Sequence, residues 1–425
     1  MSKATILDPN FYFLTDRLSY SIRGEVVLKE AIDGDILQKA ADTAFKRFPY
    51  FSVQLVKDGE EYLTVPNPRP HNVIKVGPHD RLTIGTEEVN YHLVVVSYYD
   101  NKICFNVAHS VTDGAGRAPL TKALIYYYVT YKYGVQLNPE GIYLADSPMF
   151  EDESGLPLPM EEIMKAEPTF FRNIGDCYSL ADSKLVTDTE QREYRFKVSE
   201  AEFMKLNKST DSSPSVLASV LLTKVIWELN PGIEKNIVTN LCMNMRSGLN
   251  NKHSHYPLFT CIPLIYKPSM KDMSLETMST CSRGMVILQS QAENVRYLYK
   301  KSIEGFQGLL EIPTLEQKRA VASSAVYGPE GILSATFLMS YVGRSTLGDL
   351  DPYVHAMFTT VDAIPKGGII IEITSGDGDF YFTFMQDFSS DVYFRAFTKL
   401  LEDNGMHLTE ISDRPILAPV VKLPD

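Results

Sequence analysis

The sequence has few groups that could build a disulfide scaffold or a metal site. Its five cysteines are an odd number, and no two of them form a C-x-x-C pair. A disulfide framework and a structural zinc site are therefore both disfavoured, and a reducing compartment fits best. His253 and His255 form an H-x-H pair without a third ligand nearby, so we expect no metal site. The five cysteines are Cys104, Cys177, Cys242, Cys261 and Cys281.

Long apolar runs are also lacking. The most apolar stretch, residues 216–229, contains Lys224 and Glu228, and it is shorter than the roughly 20 residues that cross a bilayer. Asp8 and Asp16 interrupt the first residues, so we do not expect a secretory signal peptide. These features predict a soluble, cytoplasmic protein with no membrane span.

Basic side chains are fewer than acidic ones. The chain has 41 Lys and Arg residues against 53 Asp and Glu residues, which gives a formal net charge of −12. This sign is wrong for a general nucleic-acid binder, whose affinity comes from neutralising phosphates. Any anionic ligand of this protein therefore needs a local basic pocket.

The residues that are present predict a mixed fold. Apolar residues recur at three and four residue spacing from 34 to 48, which predicts an amphipathic helix that ends before Pro49. Runs rich in β-branched and aromatic residues at 91–99 and 102–108 predict a pair of strands. Strands and helices are interspersed along the whole chain, so the fold class is α/β (α+β).

The length of 425 residues predicts two or three domains, or one large two-lobed body, because single domains usually have about 100 to 200 residues. Residues 139–168 contain five prolines and eight acidic residues, so we expect an irregular segment there that crosses between the lobes. The predicted boundaries are 1–180 for the N-terminal lobe and 181–425 for the C-terminal lobe. A long helical region from about residue 274 is expected to break near Gly305 and Pro313.

The sharpest local feature is the segment A-H-S-V-T-D-G-A-G at residues 108–116. Strand alternation places His109 on an apolar face, where a lone histidine is usually a core residue. However, His109 also ends a strand just before glycines and a predicted helix at about 117–133. An imidazole at such a joint can project into a cleft and act as a general base near neutral pH.

Asp113 allows two interpretations. If the segment were helical throughout, Asp113 would share a face with His109 and could orient its ring. If His109 still belongs to the strand, Asp113 points elsewhere, and a buried carboxylate then needs a cation such as an arginine. The strand pattern runs to residue 109 and favours the second interpretation. Gly114 and Gly116 suit a tight turn or a close approach of the backbone to a ligand.

Residues 109–114 match the pattern H-x-x-x-D-G. They resemble the signature of an acyltransferase superfamily that includes chloramphenicol acetyltransferases, plant BAHD acyltransferases, alcohol acetyltransferases and condensation domains of non-ribosomal peptide synthetases. Residues 45–51 resemble the turn after that family's first helix, although Phe48 stands where the family often has histidine.

The resemblance extends over most of the chain. Residues 244–246, Asn-Met-Arg, resemble the family's N-x-R strand end, and residues 340–343, Ser-Tyr-Val-Gly, resemble its S-N-x-G strand with Tyr341 in place of asparagine. The D-F-G-W-G motif of the plant branch does not occur in the sequence. The chain therefore looks most like an alcohol acetyltransferase or a stand-alone condensation protein.

The resemblance implies a fold, an activity and a set of site residues. It implies two chloramphenicol-acetyltransferase-like lobes, each a mixed sheet flanked by helices, with a tunnel between them. His109 would be the general base, Asp113 would pair with Arg246 in the structural motif with Gly114, and Ser340 or backbone N–H groups near Gly114 would stabilise the oxyanion.

The implied reaction moves an acyl group from a thioester, either acyl-CoA or an acyl carrier protein acting in trans, to a small-molecule hydroxyl or amine. No cofactor is expected to remain bound, and two lobes in one chain favour a monomer. The alternative is a non-catalytic condensation-like protein that binds an acyl carrier or another partner, because a fold does not guarantee an activity.

Overall fold

The structure is a computed structural model, and it describes residues 8–15, 17–155, 158–168, 170, 174–327, 335–344, 346–365 and 368–424. The first half contains β1 (Ser21–Leu28), α1 (Gly34–Ala44), β2 (Val53–Asp58), β3 (Glu61–Pro66), β4 (Ile74–Lys75), β5 (Thr83–Ile84), β6 (Val94–Tyr99), β7 (Lys102–Ala108), α2 (Gly114–Tyr133) and α3 (Met160–Lys165).

The second half continues the alternation of strands and helices. It contains β8 (Arg192–Ser199), α4 (Glu200–Ser209), α5 (Pro214–Leu229), β9 (Ile237–Asn244), β10 (Phe259–Tyr266), α6 (Leu275–Gln289), α7 (Ala292–Leu310), α8 (Leu315–Tyr327), β11 (Phe337–Arg344), β12 (Val354–Val361), β13 (Ile369–Gly376), β14 (Asp379–Gln386), α9 (Val392–Asp403), β15 (Leu408–Pro415) and β16 (Val420–Val421). Among the helices of the described residues, none has both the length and the hydrophobicity to cross a bilayer.

Two sheets define two lobes. The first lobe is built on a five-stranded sheet in the order β12-β1-β7-β6-β4, and its core includes the buried faces of α1 and α2. The second lobe is built on a seven-stranded sheet in the order β10-β9-β11-β13-β14-β8-β15, with α5 and α9 buried against it. Since β11 runs parallel to β9 and β13 while the other pairs are antiparallel, the second sheet is mixed. The predicted α/β (α+β) class with two sheet-containing lobes is confirmed.

One strand crosses between the lobes. β12 belongs to the second half of the chain, yet it pairs with β1 at the edge of the first sheet, from Ile22 opposite Val361 to Leu28 opposite Val354. The short strand β16 likewise pairs with β5 of the first half. The domain boundary at 180/181 stays a prediction, and β12 shows that the first sheet draws on residues from both sides of it.

Two local predictions from the sequence were wrong. The helical region does break near Pro313, but α7 runs through Gly305, and the other break lies at residues 290–291. A single glycine costs a helix only about 1 kcal/mol, and burial of Val295 and Ile303 on α7 offsets this cost. The segment 139–168 is mostly irregular but contains the short helix α3, because Ile163 packs into the same apolar cluster.

A buried cluster of charged side chains joins the two lobes. Arg195 on β8 donates hydrogen bonds to Glu25 on β1, to Glu193 on its own strand and to Thr360 on β12. Arg414 on β15 adds a second cation, with its Nε atom 2.9 Å from Glu193. Burial alone would raise the pKa of Glu25, but Arg195 and Arg414 hold that pKa well below its usual value. The two carboxylates are therefore kept ionised by arginines from the second lobe.

Candidate active site between two cavities

His109 follows β7 directly and lies between the two lobes. Its backbone N–H donates a hydrogen bond to the carbonyl of Tyr20, 2.9 Å away. Its ring is stacked between the ring of Tyr20 from the first lobe, at a centroid distance of 4.7 Å, and the ring of Phe259 on β10, at 4.8 Å. The two lobes therefore fix the plane of the imidazole jointly.

The electrostatic environment of His109 favours a neutral imidazole. Burial lowers the pKa of His109 below its usual value, and the negative charge of Asp113 offsets this effect only in part. A neutral imidazole has a free nitrogen lone pair, which is the form that accepts a proton. His109 therefore has the protonation state that a general base requires at neutral pH.

Asp113 caps α2 and binds Arg246. Its carboxylate accepts hydrogen bonds from the backbone N–H of Gly116 at 2.7 Å, from Arg246 through two nitrogens at 2.7 and 2.9 Å, and from the N–H of Leu258 at 3.0 Å. Asp113 is 5% exposed and Arg246 is 6% exposed. The structure thus brings these two predicted residues together. Since both carboxylate oxygens are occupied, Asp113 does not orient the His109 ring.

Arg246 is the centre of a wider hydrogen-bond network. Besides Asp113, its guanidinium binds the carbonyl oxygens of Ser254 at 3.0 Å and of Tyr256 at 2.7 Å. The ion pair therefore attaches the N-terminus of α2 in the first lobe to the chain between β9 and β10 in the second. The loop after His109 is thereby joined to the second lobe.

Gly114 and Gly116 both lie close to the second lobe, and Gly116 has no room for a side chain. A Cβ atom at Gly114 would lie 3.0 Å from the side chain of Val342, and one at Gly116 would lie 2.2 Å from the carbonyl oxygen of His255. Both glycines belong to α2, which begins three residues earlier than the sequence predicted because Asp113 is its N-cap. They allow the first turn of α2 to approach the second lobe closely.

Arg246→Lys is expected to lower the free energy of unfolding by about 1.5 to 3 kcal/mol, which is the usual contribution of one hydrogen bond to a charged group. Lysine keeps the positive charge but cannot reproduce the paired donors of guanidinium. Urea unfolding measures the change. The matched control is Arg283→Lys, which alters an exposed pair with Asp211 and is expected to change stability by less than about 1 kcal/mol. Equal losses in both variants would contradict the assigned role of Arg246.

Two cavities meet at His109. The first is lined by the start of α2 together with Arg246 and Ser340. The second is lined mostly by apolar side chains such as Phe13, Leu338 and Ile370. Residues common to both cavities are His109, Cys242, Phe259, Val361 and Glu372.

Where the two cavities meet, a row of polar side chains lies on the second sheet. Ser340 on β11 lies directly opposite Glu372 on the parallel strand β13. Cys242 and Cys261 continue the row on β9 and β10, with their sulfur atoms 3.9 Å apart. The structure therefore places the predicted Ser340 in the same cavity as His109 and beside an acidic residue that sequence analysis missed.

Other predicted positions have structural roles. His253 binds Asp152 through Nδ1 at 2.8 Å, and the Nδ1 atom of His255 binds the carbonyl of Glu153. Sequence analysis also missed Tyr20 and Phe259, because nothing in the local pattern relates either residue to His109. Glu372 did leave a signal, since it is an acidic residue inside the apolar run I-I-I-E-I at residues 369–373.

Comparison with known proteins identifies the fold. No family model matches the chain, and no curated protein matches its sequence. Three of the similar solved structures illustrate the fold. Polyketide synthase associated protein 5 from Mycobacterium tuberculosis has a TM-score of 0.59 and 12% identity, and the match covers 90% of this chain and 92% of that chain. F. sporotrichioides TRI101 complexed with coenzyme A and T-2 has a TM-score of 0.60 and 10% identity, with 92% of this chain and 96% of that chain covered. The first condensation domain of the calcium-dependent antibiotic synthetase has a TM-score of 0.61 and 10% identity, with 96% of this chain and 98% of that chain covered.

These similarities confirm the predicted resemblance at the level of the fold. The chain has the chloramphenicol-acetyltransferase-like fold that condensation domains and TRI101 share. At identities of 10–12% the activity has to be argued from the site itself.

Proposed function

We propose that the protein is an acyltransferase that moves an acyl group from a thioester to the hydroxyl or amine of a small molecule. The observation that carries this proposal is the position of His109 at the meeting point of two cavities. A donor and an acceptor that enter from different sides would meet at one imidazole. Positioning of this kind can lower a barrier by roughly 7 to 11 kcal/mol in ideal cases.

The reaction needs one base and no covalent enzyme intermediate. His109 takes the proton of the acceptor as the acceptor oxygen or nitrogen forms a bond to the thioester carbonyl carbon. The π electrons of the carbonyl move to its oxygen and produce a tetrahedral oxyanion. The oxyanion then collapses, the carbon–sulfur bond breaks, and the thiolate recovers the proton from His109, which returns the enzyme to its starting state.

The oxyanion requires hydrogen-bond donors that are in place before the reaction. The Ser340 hydroxyl lines the first cavity with His109 and is the donor that we assign, and the start of α2 at Gly114 lies on the same cavity. Asp113 and Arg246 act indirectly, because they position the loop that carries His109 and do not themselves take part in the reaction.

The donor is proposed to be acyl-CoA or an acyl carrier protein, and neither would remain bound as a cofactor. TRI101, which has the same fold, was solved in complex with coenzyme A. A mutant of the starter condensation domain of rhizomide synthetase was solved in complex with C8-CoA. The apolar second cavity is suited to an acyl chain or another apolar group, since burial contributes about 25 cal/mol for each Å² of apolar surface. A cytoplasmic monomer remains our proposal for the state of the protein.

The rate is expected to rise with pH on the acid side of the profile. Only neutral His109 accepts a proton, so kcat/KM should increase as pH rises through the pKa of His109. Because burial lowers this pKa, the increase should be centred below about 6.5, the usual histidine value. An increase centred well above that value would contradict the assignment of His109 as the base.

The experiment that tests the function measures thiol release from acetyl-CoA and longer acyl-CoAs against a panel of alcohols and amines, with product detection by mass spectrometry. Acceptor-dependent release with a matching acylated product is expected for at least one pair. Acylated carrier proteins form the second arm. The absence of release and of acylated product in both arms would overturn the proposal.

A further inference from the structure

Glu372 occupies an unusual position for an acidic side chain. It lies in the centre of β13, and isoleucines precede and follow it along the strand. Its exposed fraction is 8%. Among the described residues, no Lys, Arg or His nitrogen lies within 4 Å of its carboxylate, whereas the buried Glu25 and Glu193 both have arginine partners. A buried carboxylate without an ion pair is costly, which indicates a role at the site.

The position of Glu372 gives it access to both substrates. It lines both cavities together with His109. It is also the register partner of Ser340, the donor assigned to the oxyanion. The carboxyl group and the hydroxyl group therefore lie side by side on the wall that faces His109.

We propose that Glu372 and Ser340 together form the hydrogen-bonding wall that stabilises the oxyanion of the tetrahedral intermediate. This inference rests on the proposed acyl transfer and adds a second catalytic group to it. Glu372 donates a hydrogen bond and keeps its proton, so the proton of the acceptor still passes through His109 to the leaving thiol. An ionised Glu372 would instead repel the oxyanion and accept the hydrogen bond of Ser340.

Glu372 can carry this proton near neutral pH. Burial raises its pKa to about 7, against the opposing effects of the Ser340 hydroxyl and the charge of Arg117. A carboxylic acid in an apolar site that donates a hydrogen bond to an oxyanion is a known catalytic device. The titratable or charged groups around Glu372 include His109, Asp113 and Arg117 from the first lobe, and Cys242, Arg246 and Tyr341 from the second. Arg195 on β8 lies beyond Thr383, and Tyr20 and Asp362 line the second cavity.

The titration of these groups has to be separated from that of Glu372 in the pH profile. Burial lowers the pKa of His109, which places its effect on the acid side. Burial raises the pKa of Asp362 to about 7 despite its contact with Arg81. Burial raises the pKa of Tyr20 above its usual value, and the hydrogen bond with Cys261, together with burial, raises the pKa of Cys242 well above its usual value. Asp362 is therefore the group that the experiment must separate from Glu372.

The test is the pH profile of kcat/KM for thiol release by the wild type, Glu372→Gln and Asp362→Asn. In the wild type, kcat/KM is expected to fall as pH rises through about 7, because Glu372 loses the proton that it donates. Glutamine donates an N–H at every pH, so Glu372→Gln should lose this fall while the rise on the acid side remains. Asp362→Asn should keep the fall.

Glu372→Leu provides a second measurement. It removes the donor without introducing a charge, and kcat/KM should drop about 100-fold or more below pH 7, where the wild-type carboxyl group still carries its proton, as for other oxyanion donors. An unchanged fall above neutral pH in Glu372→Gln, or its loss in Asp362→Asn alone, would overturn the role of Glu372. Either result would leave acyl transfer by His109 intact, whereas a wild type without turnover would remove both.

Discussion

His109→Ala is expected to reduce kcat/KM for acyl transfer by a factor of about 10² to 10⁴, the range that general acid–base catalysis supplies. The loss should appear in kcat, because the imidazole accepts a proton only as the acceptor attacks. Binding of the thioester should persist, since the lining of both cavities is otherwise unchanged. Steady-state kinetics and isothermal titration calorimetry with the same acyl-CoA measure the two quantities.

The controls for this variant separate chemistry from folding. His109 is stacked between Tyr20 and Phe259, and each aromatic contact contributes about 0.5 to 1.5 kcal/mol. A small loss of stability is therefore expected, and urea unfolding would quantify it. His407→Ala is the control, because His407 is exposed and lines neither cavity. This change should leave kcat/KM unaltered. Wild-type kcat/KM in a folded His109→Ala protein would exclude His109 as the base.

Arg195→Met is expected to lower the free energy of unfolding by about 3 to 5 kcal/mol, which is the cost of leaving a buried charge without its partner. Arg195 binds Glu25 of the first lobe and Glu193 of the second, and both carboxylates are fully buried. Methionine fills much of the volume but leaves the negative charges compensated only by Arg414 and by Arg23. The effect is read from urea unfolding.

Arg192→Met is the matched control for Arg195→Met. Arg192 lies three residues away on the same strand, and it pairs with Asp413 and Glu190 at the surface. Exposed ion pairs contribute about 0 to 1 kcal/mol, so this change should be small. An equal loss in the free energy of unfolding for Arg195→Met and Arg192→Met would contradict the claim that the buried cluster stabilises the contact between the lobes.

The sequence predicted the parts of the fold that depend on local periodicity. α1 and the pair β6–β7 were expected from apolar spacing and alternation, and the structure contains them. The strands β12 and β15 were not expected. β15 is an exposed edge strand with almost no apolar alternation, and β12 acquires its place by pairing with β1, more than 300 residues earlier. Pairing over such a distance leaves no local signature.

The candidate site was predictable to a similar extent. His109, Asp113 and Gly114 lie within one short segment, residues 109–114, so their pattern could be recognised. The aromatic contacts of Tyr20 and Phe259 with His109 exist only because the two lobes meet there. Glu372 was visible as an acid within an apolar strand, but only the fold shows that this strand faces His109.

The measurement that tests the account most directly is the initial rate of thiol release at a saturating concentration of acyl-CoA, with and without acceptor, for the wild type and His109→Ala in parallel. The account predicts a rate in the wild type that depends on the acceptor and a loss of that dependent rate in His109→Ala, while calorimetry shows that the variant still binds the donor. Equal acceptor-dependent rates in the two proteins would contradict acyl transfer by His109.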